Sequence, residues 1–176
     1  MDNNVADRPI SAAAGSPSAA MLELFERPDD DKFYKAVQAV AESGDWPDLA
    51  PFREAVLAAD SVRRRRGVYV MAHHAVDPGV PDLLREALGA SETVVQTAVL
   101  TAVGRHRLVD LLPDVCRIFL VEGNDPQLAK AAAETLGKLS DLRAVEPLRQ
   151  AKERFPTFVV RSACDMALRR LAAVTK

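Results

Sequence analysis

Histidine is the residue type in this chain best suited to metal or acid–base chemistry, and the sequence contains three. His73 and His74 are adjacent, and neighbouring positions on a helix point about 100° apart, so the two are poorly placed to bind one metal ion. Zinc-binding helices instead place two histidines four residues apart with a carboxylate between them. Some helical-repeat enzymes bind iron through His-Glu pairs, and the sequence has no such dipeptide. We therefore expect no metal site, and we place these two residues and His106 at helix C-termini, where the helix dipole favours a cation.

A run of four arginines is the longest stretch of positive charge in the sequence: Arg63, Arg64, Arg65 and Arg66. Four consecutive helical positions sweep around the helix, so the four side chains cannot share one flat surface. One or two of them must pack their stems against neighbours while their charged heads stay in solvent. Three interpretations of this basic patch stay open: contact with phosphate or nucleic acid, contact with an acidic protein, and a structural or solvated role. Tyr69 is the one aromatic residue close by for base stacking.

Charged and amide residues also recur within a four-residue pattern found in four segments. Its leading residues are Phe52, Leu84, Leu112 and Leu148, at spacings of 32, 28 and 36 residues. The pattern predicts a ladder of exposed residues that binds a protein partner, since the arginine fork can hold a carboxylate through two hydrogen bonds. The alternative is a solvated face whose charges pair locally, each pair contributing ~0–1 kcal/mol. The candidate residues are Arg53, Glu54, Arg85, Glu86, Asp114, Arg117, Arg149 and Gln150.

Other catalytic signatures are missing from the sequence. It contains no Gly-rich phosphate loop, no G-x-S-x-G nucleophile motif and no Cys-x-x-Cys pair. Its two cysteines, Cys116 and Cys164, lie within apolar helical patterns, where a free cysteine behaves as a small hydrophobic residue. We expect buried thiols in a reducing compartment, the alternative being a disulfide or a reactive thiol. No catalytic residue and no cofactor are therefore predicted.

The stretch 125–151 shows which elements would position the ladder. Asp125 is suited to cap a helix and Pro126 to its first turn. Apolar residues then recur at helical spacing and form one apolar stripe along the helix. Gly137 and a run of alanines give this stripe short side chains, so that a neighbouring helix can come close. A second stripe follows the break at Ser140. Because two short amphipathic helices cannot bury both stripes by themselves, such a pair requires similar neighbours.

The whole chain fits a row of such pairs, whose first and second helices we call A and B. It has 176 residues, of which 48% are hydrophobic and only 5% aromatic, and this favours closely packed helices over a β-sandwich. We predict an all-α fold, an α-α superhelix of about four helical pairs plus a capping helix. Residues 1–20 are predicted to be a disordered tail, and residues 21–176 the repeat domain. Neither a membrane helix nor a secretory signal is expected.

The Ala-rich segment AAAETLGKLSD and the following RAVEPL resemble the HEAT repeat of the short bacterial kind, also seen in phycobilisome lyase proteins. The resemblance implies a HEAT-like solenoid whose B helices line the concave face. It also implies, as one alternative function, a bilin lyase or a lyase-like chaperone subunit.

The remaining expectations concern function. We predict a non-enzymatic scaffold in the cytoplasm that binds an unidentified protein partner on the concave face, as a monomer or within a heteromeric complex. The alternatives are the bilin lyase and a nucleic-acid-binding HEAT-like protein. The formal net charge of −2 argues against nucleic acid as a partner, because dedicated binders carry a basic excess. No membrane contact is expected.

Overall fold

Helices form all the regular structure in the computed structural model, which describes residues 16–27, 30–89, 92–121 and 125–174. Within these ranges there is no strand, so the predicted all-α class is confirmed. No helix in the same ranges combines the length and apolar composition that a bilayer crossing requires. The helices are α1 Pro17–Phe25, α2 Asp30–Ser43, α3 Ala50–Ala55, α4 Ser61–Ala72, α5 Val80–Leu88, α6 Thr93–His106, α7 Leu112–Phe119, α8 Pro126–Leu139, α9 Val145–Arg154 and α10 Phe158–Val174, with 3-10 turns Val109–Leu111 and Leu142–Ala144 before α7 and α9.

The chain divides into two compact units, the first of which ends at Asp48. In this first unit α1 packs against α2, and the buried rings of Phe25 and Phe33 meet with their centroids 5.9 Å apart. The side chain of Ser16 caps α1 by accepting a hydrogen bond from the backbone N–H of Ala19 at 3.4 Å.

The predicted disordered tail, residues 1–20, overlaps this first helix. Residues 17–20 are helical, and residues 1–15 lie outside the described residues. The division of the chain at residue 20 therefore remains a prediction.

The second unit, from Leu49 onward, repeats one packing arrangement. The A helices α4, α6, α8 and α10 pack against one another in chain order. The B helices α3, α5, α7 and α9 each pack against the A helix that follows them.

Helix starts in the second unit follow the capping signals in the sequence. The Asp60 carboxylate accepts a hydrogen bond from the backbone N–H of Arg63 at 2.7 Å. Asp125 accepts from the backbone N–H groups of Gln127 at 2.8 Å and Leu128 at 3.1 Å, which confirms its predicted role as a cap. Proline occupies one of the first two positions of α3, α5, α7 and α8, where its missing N–H costs nothing.

Small residues bring successive A helices close together. A Cβ atom added at Gly137 in α8 would lie only 2.8 Å from the Cα and Cβ atoms of Ala167 in α10. Gly104 in α6 faces Thr135 in α8, at 3.4 Å from an added Cβ to the Thr135 Cα. The buried Thr135 hydroxyl also lies 2.8 Å from the carbonyl oxygen of Leu100, to which it can donate a hydrogen bond across the interface. The close approach predicted for Gly137 is therefore confirmed.

Candidate functional site

The B helices repeat an acidic residue followed three positions later by arginine. Helix α5 begins at Val80 and α7 at Leu112, which is 32 residues later. The motif recurs with the same period, as Asp82–Arg85, Asp114–Arg117 and Glu146–Arg149. The alignment of Leu112 with Leu84, which gave spacings of 28 and 36, is thus wrong by one helical turn. The acidic positions 82 and 146 were missed, although their regular spacing to the arginines was visible in the sequence.

Asp114 joins two successive B helices. Its Oδ2 accepts a hydrogen bond from Arg85 Nε at 2.9 Å, and its Oδ1 accepts one from Arg117 on its own helix. Arg85 also forms an ion pair with Asp82. Hydrogen bonds to Asp114 and then Asp82 raise the pKa of the Arg85 guanidinium. Contrary to its predicted outward orientation, Asp114 has a side chain only 9% exposed, because the two arginines cover it.

The rest of the ladder is exposed but is not joined into one cluster. Arg149 and Gln150 are exposed on α9, where Gln150 donates a hydrogen bond to Glu146 at 3.1 Å. Glu54 on α3 and Glu86 on α5 are exposed, and neither side-chain carboxylate makes a hydrogen bond or ion pair with another described residue. Arg53 lies beside Gly79, with its Nη1 atom 3.5 Å from the position a Cβ would occupy there. The structure therefore brings together Arg85, Asp114 and Arg117, and leaves two carboxylates open.

The run of four arginines is divided among different surroundings, as its helical spacing predicts. Arg63 is exposed, whereas Arg66 is buried with 2% of its surface accessible. The prediction that the packed arginines keep their charged heads in solvent is therefore wrong for Arg66, because its guanidinium is buried as well. Arg64 forms an ion pair with Glu92, and its Nε donates to the Ala58 carbonyl at 2.8 Å. The fourth member, Arg65, is half-buried. These residues do not present a single basic surface, and a binding role for them remains a prediction.

The histidines lie at helix C-termini, as expected, but the charge state of His73 and His106 differs from the expectation. The rings of His73 and His106 meet edge to face, with centroids 4.7 Å apart. Arg105 stands 5.3 Å from the centroid of the Tyr69 ring and donates a hydrogen bond to its hydroxyl at 2.6 Å. Burial, followed by the charges of His106, Arg105 and His74, lowers the pKa of His73 to about 4. Burial likewise lowers the pKa of His106, so both rings are neutral near pH 7.

Cysteine and metal chemistry find little support in the described residues. Cys116 and Cys164 are free, and Cys164 is buried, as predicted, whereas Cys116 is only partly buried, contrary to the prediction. Burial raises the pKa of Cys164 to about 11 and also raises that of Cys116, which disfavours the reactive thiolate. Among the residues with described positions, no group of three or more His, Cys, Asp or Glu side chains could hold a metal ion.

In the second unit the A helices pack in one row and the short B helices pack against them. This arrangement, together with the repeat found in the sequence, defines a HEAT-like repeat protein. The sequence model of the PBS lyase HEAT-like repeat matches residues 128–154, which contain α8 from its third residue, the following turn and α9. The chain is also 29% identical over 68 residues to deoxyhypusine hydroxylase of Saccharomyces cerevisiae. That match covers 39% of this chain and 21% of the yeast protein.

A solved structure shows the same fold. Human deoxyhypusine hydroxylase, in complex with glycerol, superposes with a TM-score of 0.63 at 18% sequence identity. The superposition covers 87% of this chain and 61% of the human one. The predicted HEAT-like solenoid is thereby confirmed, and the chain spans about 61% of the human structure and 21% of the yeast protein.

These comparisons correct the functional expectation. A non-enzymatic scaffold was predicted, with a bilin lyase or a nucleic-acid binder as alternatives, and the chain was expected not to be an enzyme. Both comparisons lead instead to an enzyme, which contradicts the scaffold interpretation. The error arose because a helical repeat fixes a fold without fixing a function.

Proposed function

We propose that this chain takes part in the enzymatic hydroxylation of deoxyhypusine, the reaction that gives deoxyhypusine hydroxylase its name. We also propose that it binds the cationic side chain of this substrate. The sequence match to the yeast enzyme is the observation that carries the proposal. Deoxyhypusine is a lysine derivative with a second amine, so it carries two positive charges near pH 7. A site for it needs carboxylates that are not already neutralised.

Glu54 and Glu86 meet this requirement. They are 32 residues apart on successive B helices, and both carboxylates are exposed without a hydrogen bond or ion pair to another described residue. Arg85, next to Glu86, is neutralised by Asp82 and Asp114 and therefore competes little with an incoming ammonium group. We assign one amine of the substrate to each glutamate.

The oxygen chemistry of a hydroxylase is a separate requirement. Enzymes carry out oxygen activation with a metal or an organic cofactor, and non-haem iron is commonly held by two histidines and a carboxylate. The described residues offer no group of three such donors, so they do not fit a metal centre and we derive no step through one. We assign the oxygen-activating group to a second polypeptide, because all three histidines of the chain lie within the described ranges.

Peptide binding tests the assigned glutamates. A fluorescein-labelled peptide containing deoxyhypusine should bind the purified chain more tightly than the same peptide with norleucine at that position. Glu54→Gln and Glu86→Gln should each weaken binding about threefold and together about tenfold, as expected for exposed charge pairs. Glu153→Gln on α9 is the matched control, because Glu153 is also exposed but lies on another helix. Equal affinity for the two peptides would refute the proposed role in binding.

Mass spectrometry tests whether this chain binds the substrate while another polypeptide activates oxygen. After incubation with iron(II), oxygen and ascorbate, the deoxyhypusine peptide should stay unmodified by the chain alone. It should gain one oxygen atom when an extract of the native host is added, faster with the wild type than with the double variant. Oxygenated peptide from the purified chain alone would show that it holds a complete active site, and would overturn the assignment of oxygen activation elsewhere.

The narrower family resemblance also belongs to this proposal. Membership of the bacterial, phycobilisome-lyase type of HEAT protein and a location in the cytoplasm remain predictions. They are supported by the repeat segment and by the reducing environment expected from its free thiols.

A further inference from the structure

The last repeat contains an open groove between α9 and α10 that no step above uses. A hollow of about 540 Å³ has an apolar floor formed by Phe155, Pro156 and Leu168. The Phe155 ring stacks on Phe119, with centroids 6.2 Å apart and planes inclined by 11°. The adjoining Arg154 donates a hydrogen bond to the Leu120 carbonyl at 3.3 Å. These contacts fix the turn between the helices, so the floor is formed without a ligand.

The hollow continues into a second one along the same two helices. The second hollow has a volume of about 450 Å³ and shares Arg149 and Leu168 with the first. Leu142 and Val145 extend its apolar lining toward the start of α9. Because the two hollows share lining residues, they form one elongated groove, which suits an extended peptide.

The rim of the groove is positively charged, although the whole chain has a formal net charge of −2. Three cations and one carboxylate line the first hollow, a formal charge of +2. Lys152 is neutralised by Asp165, with Nζ 2.6 Å from Oδ1. The guanidinium groups of Arg149 and Arg161 are exposed and form no side-chain hydrogen bond or ion pair with another described residue, and the charge of Arg161 is one of those that lower the pKa of Asp165. The guanidinium groups of Arg149 and Arg161 are therefore available to bind a ligand.

The combination of free arginines and an apolar floor defines the ligand chemistry. A guanidinium binds a carboxylate through two parallel hydrogen bonds, and an apolar side chain gains by packing on Phe155 and Leu168. Phe158, at the start of α10, is 83% exposed and adds an aromatic anchor near Arg161. A protein segment fits this groove better than nucleic acid, because a phosphate backbone offers no aliphatic side chain to pack on the apolar floor.

We propose that the groove between α9 and α10 binds an acidic segment of a partner protein, with Arg149 and Arg161 holding carboxylates on either side of an apolar side chain. That side chain packs on Phe155, Pro156 and Leu168. The inference goes beyond the proposed function, because it rests on other helices and on charge of the opposite sign. It holds whether or not Glu54 and Glu86 bind a cationic substrate.

Fluorescence anisotropy with a defined probe tests the groove. The probe is a labelled peptide in which one leucine is flanked on each side by two aspartates. Arg149→Glu and Arg161→Glu should each weaken its binding about tenfold, because each removes a charge-assisted contact and adds repulsion. Arg149→Lys should lose less, since it keeps the charge but not the fork. Replacing the leucine of the probe by serine should also weaken binding.

Matched controls separate this groove from general charge effects and from the other proposal. Arg170→Glu changes the same charge at an exposed position of α10 that does not line the groove, and it should leave affinity unchanged. Glu54→Gln should do the same. Circular dichroism checks that each variant is folded. Three results would each overturn the proposal. The first is an equal loss of affinity with Arg170→Glu, and the second is equal affinity for the leucine and serine probes. The third is displacement of the probe by inorganic phosphate or a single-stranded oligonucleotide at the same concentration as the probe.

Discussion

Substitution of Gly137 by alanine gives the sharpest test of how the A helices stack. The added Cβ would lie 2.8 Å from both Cα and Cβ of Ala167, whereas non-bonded carbon atoms prefer about 3.5–4.0 Å. Helices α8 and α10 would therefore have to separate by about 0.7 Å or more. Overpacking of this kind costs about 1–3 kcal/mol, and the better helix propensity of alanine returns up to about 1 kcal/mol. We expect a net loss of about 1–2 kcal/mol in the free energy of unfolding.

Gly104 provides the matched control on the preceding A helix. Its nearest neighbour to an added Cβ is the Lys138 Cδ at 3.1 Å, which belongs to a flexible side chain. Gly104→Ala should therefore be neutral or stabilising by up to about 1 kcal/mol, because the lysine can move while the helix gains propensity.

Urea unfolding followed by far-UV circular dichroism measures both variants. Gly137→Ala should have a lower midpoint with an unchanged slope, and a thermal midpoint lower by about 2–8 °C. In a double-mutant cycle, Ala167→Gly should cost less in the Gly137→Ala background than in the wild type, because it removes one of the two clashing atoms. A Gly137→Ala variant at least as stable as the wild type would refute the inference that this close approach is needed.

Two further predictions concern charged groups. Asp114→Asn should lower the free energy of unfolding by about 1–2 kcal/mol, because its largely buried carboxylate bonds two arginines. Asp82→Asn changes a side chain that is 81% exposed and should cost less than about 0.5 kcal/mol. Equal effects of the two substitutions in urea unfolding would contradict the role of Asp114 as a bridge between two B helices. His73 has a pKa of about 4 in the folded state, against 6.5 when unperturbed. Because the unfolded chain therefore protonates His73 more readily, the free energy of unfolding should fall as the pH drops from about 6.5 toward 4. His73→Phe should lose less stability between about pH 7 and pH 5 in thermal unfolding, and an undiminished loss would count against a neutral, buried imidazole.

Local signals in the sequence predicted the helices well. The cap at Asp125 follows from local backbone geometry, and the close approach at Gly137 follows from the absence of a side chain at that position. The division of the arginine run followed from the angle between consecutive helical positions. The neutral state of His73 could not be predicted, because it depends on burial against His106 from another helix.

The candidate site was predicted less well, for two physical reasons. The four-residue pattern led by Leu112 matched hydrophobicity alone, whereas the acid-to-arginine spacing gives the register of 32 residues. The burial of Asp114 depends on Arg85 reaching across from the preceding B helix, a contact between repeats that no single segment contains. The groove at Phe155 likewise depends on the angle between two helices.

The two rows of helices differ in what their sequences must provide. A helices of the second unit are 12 to 17 residues long and approach one another through glycine, alanine and a buried threonine, so most changes there disturb the stacking. B helices are only 6 to 10 residues long, and the described bridge between them is polar. Their outer side chains can therefore change at little cost to the fold. Both binding surfaces proposed for this chain use B helices, and functional differences among HEAT-like proteins should concentrate on the same row.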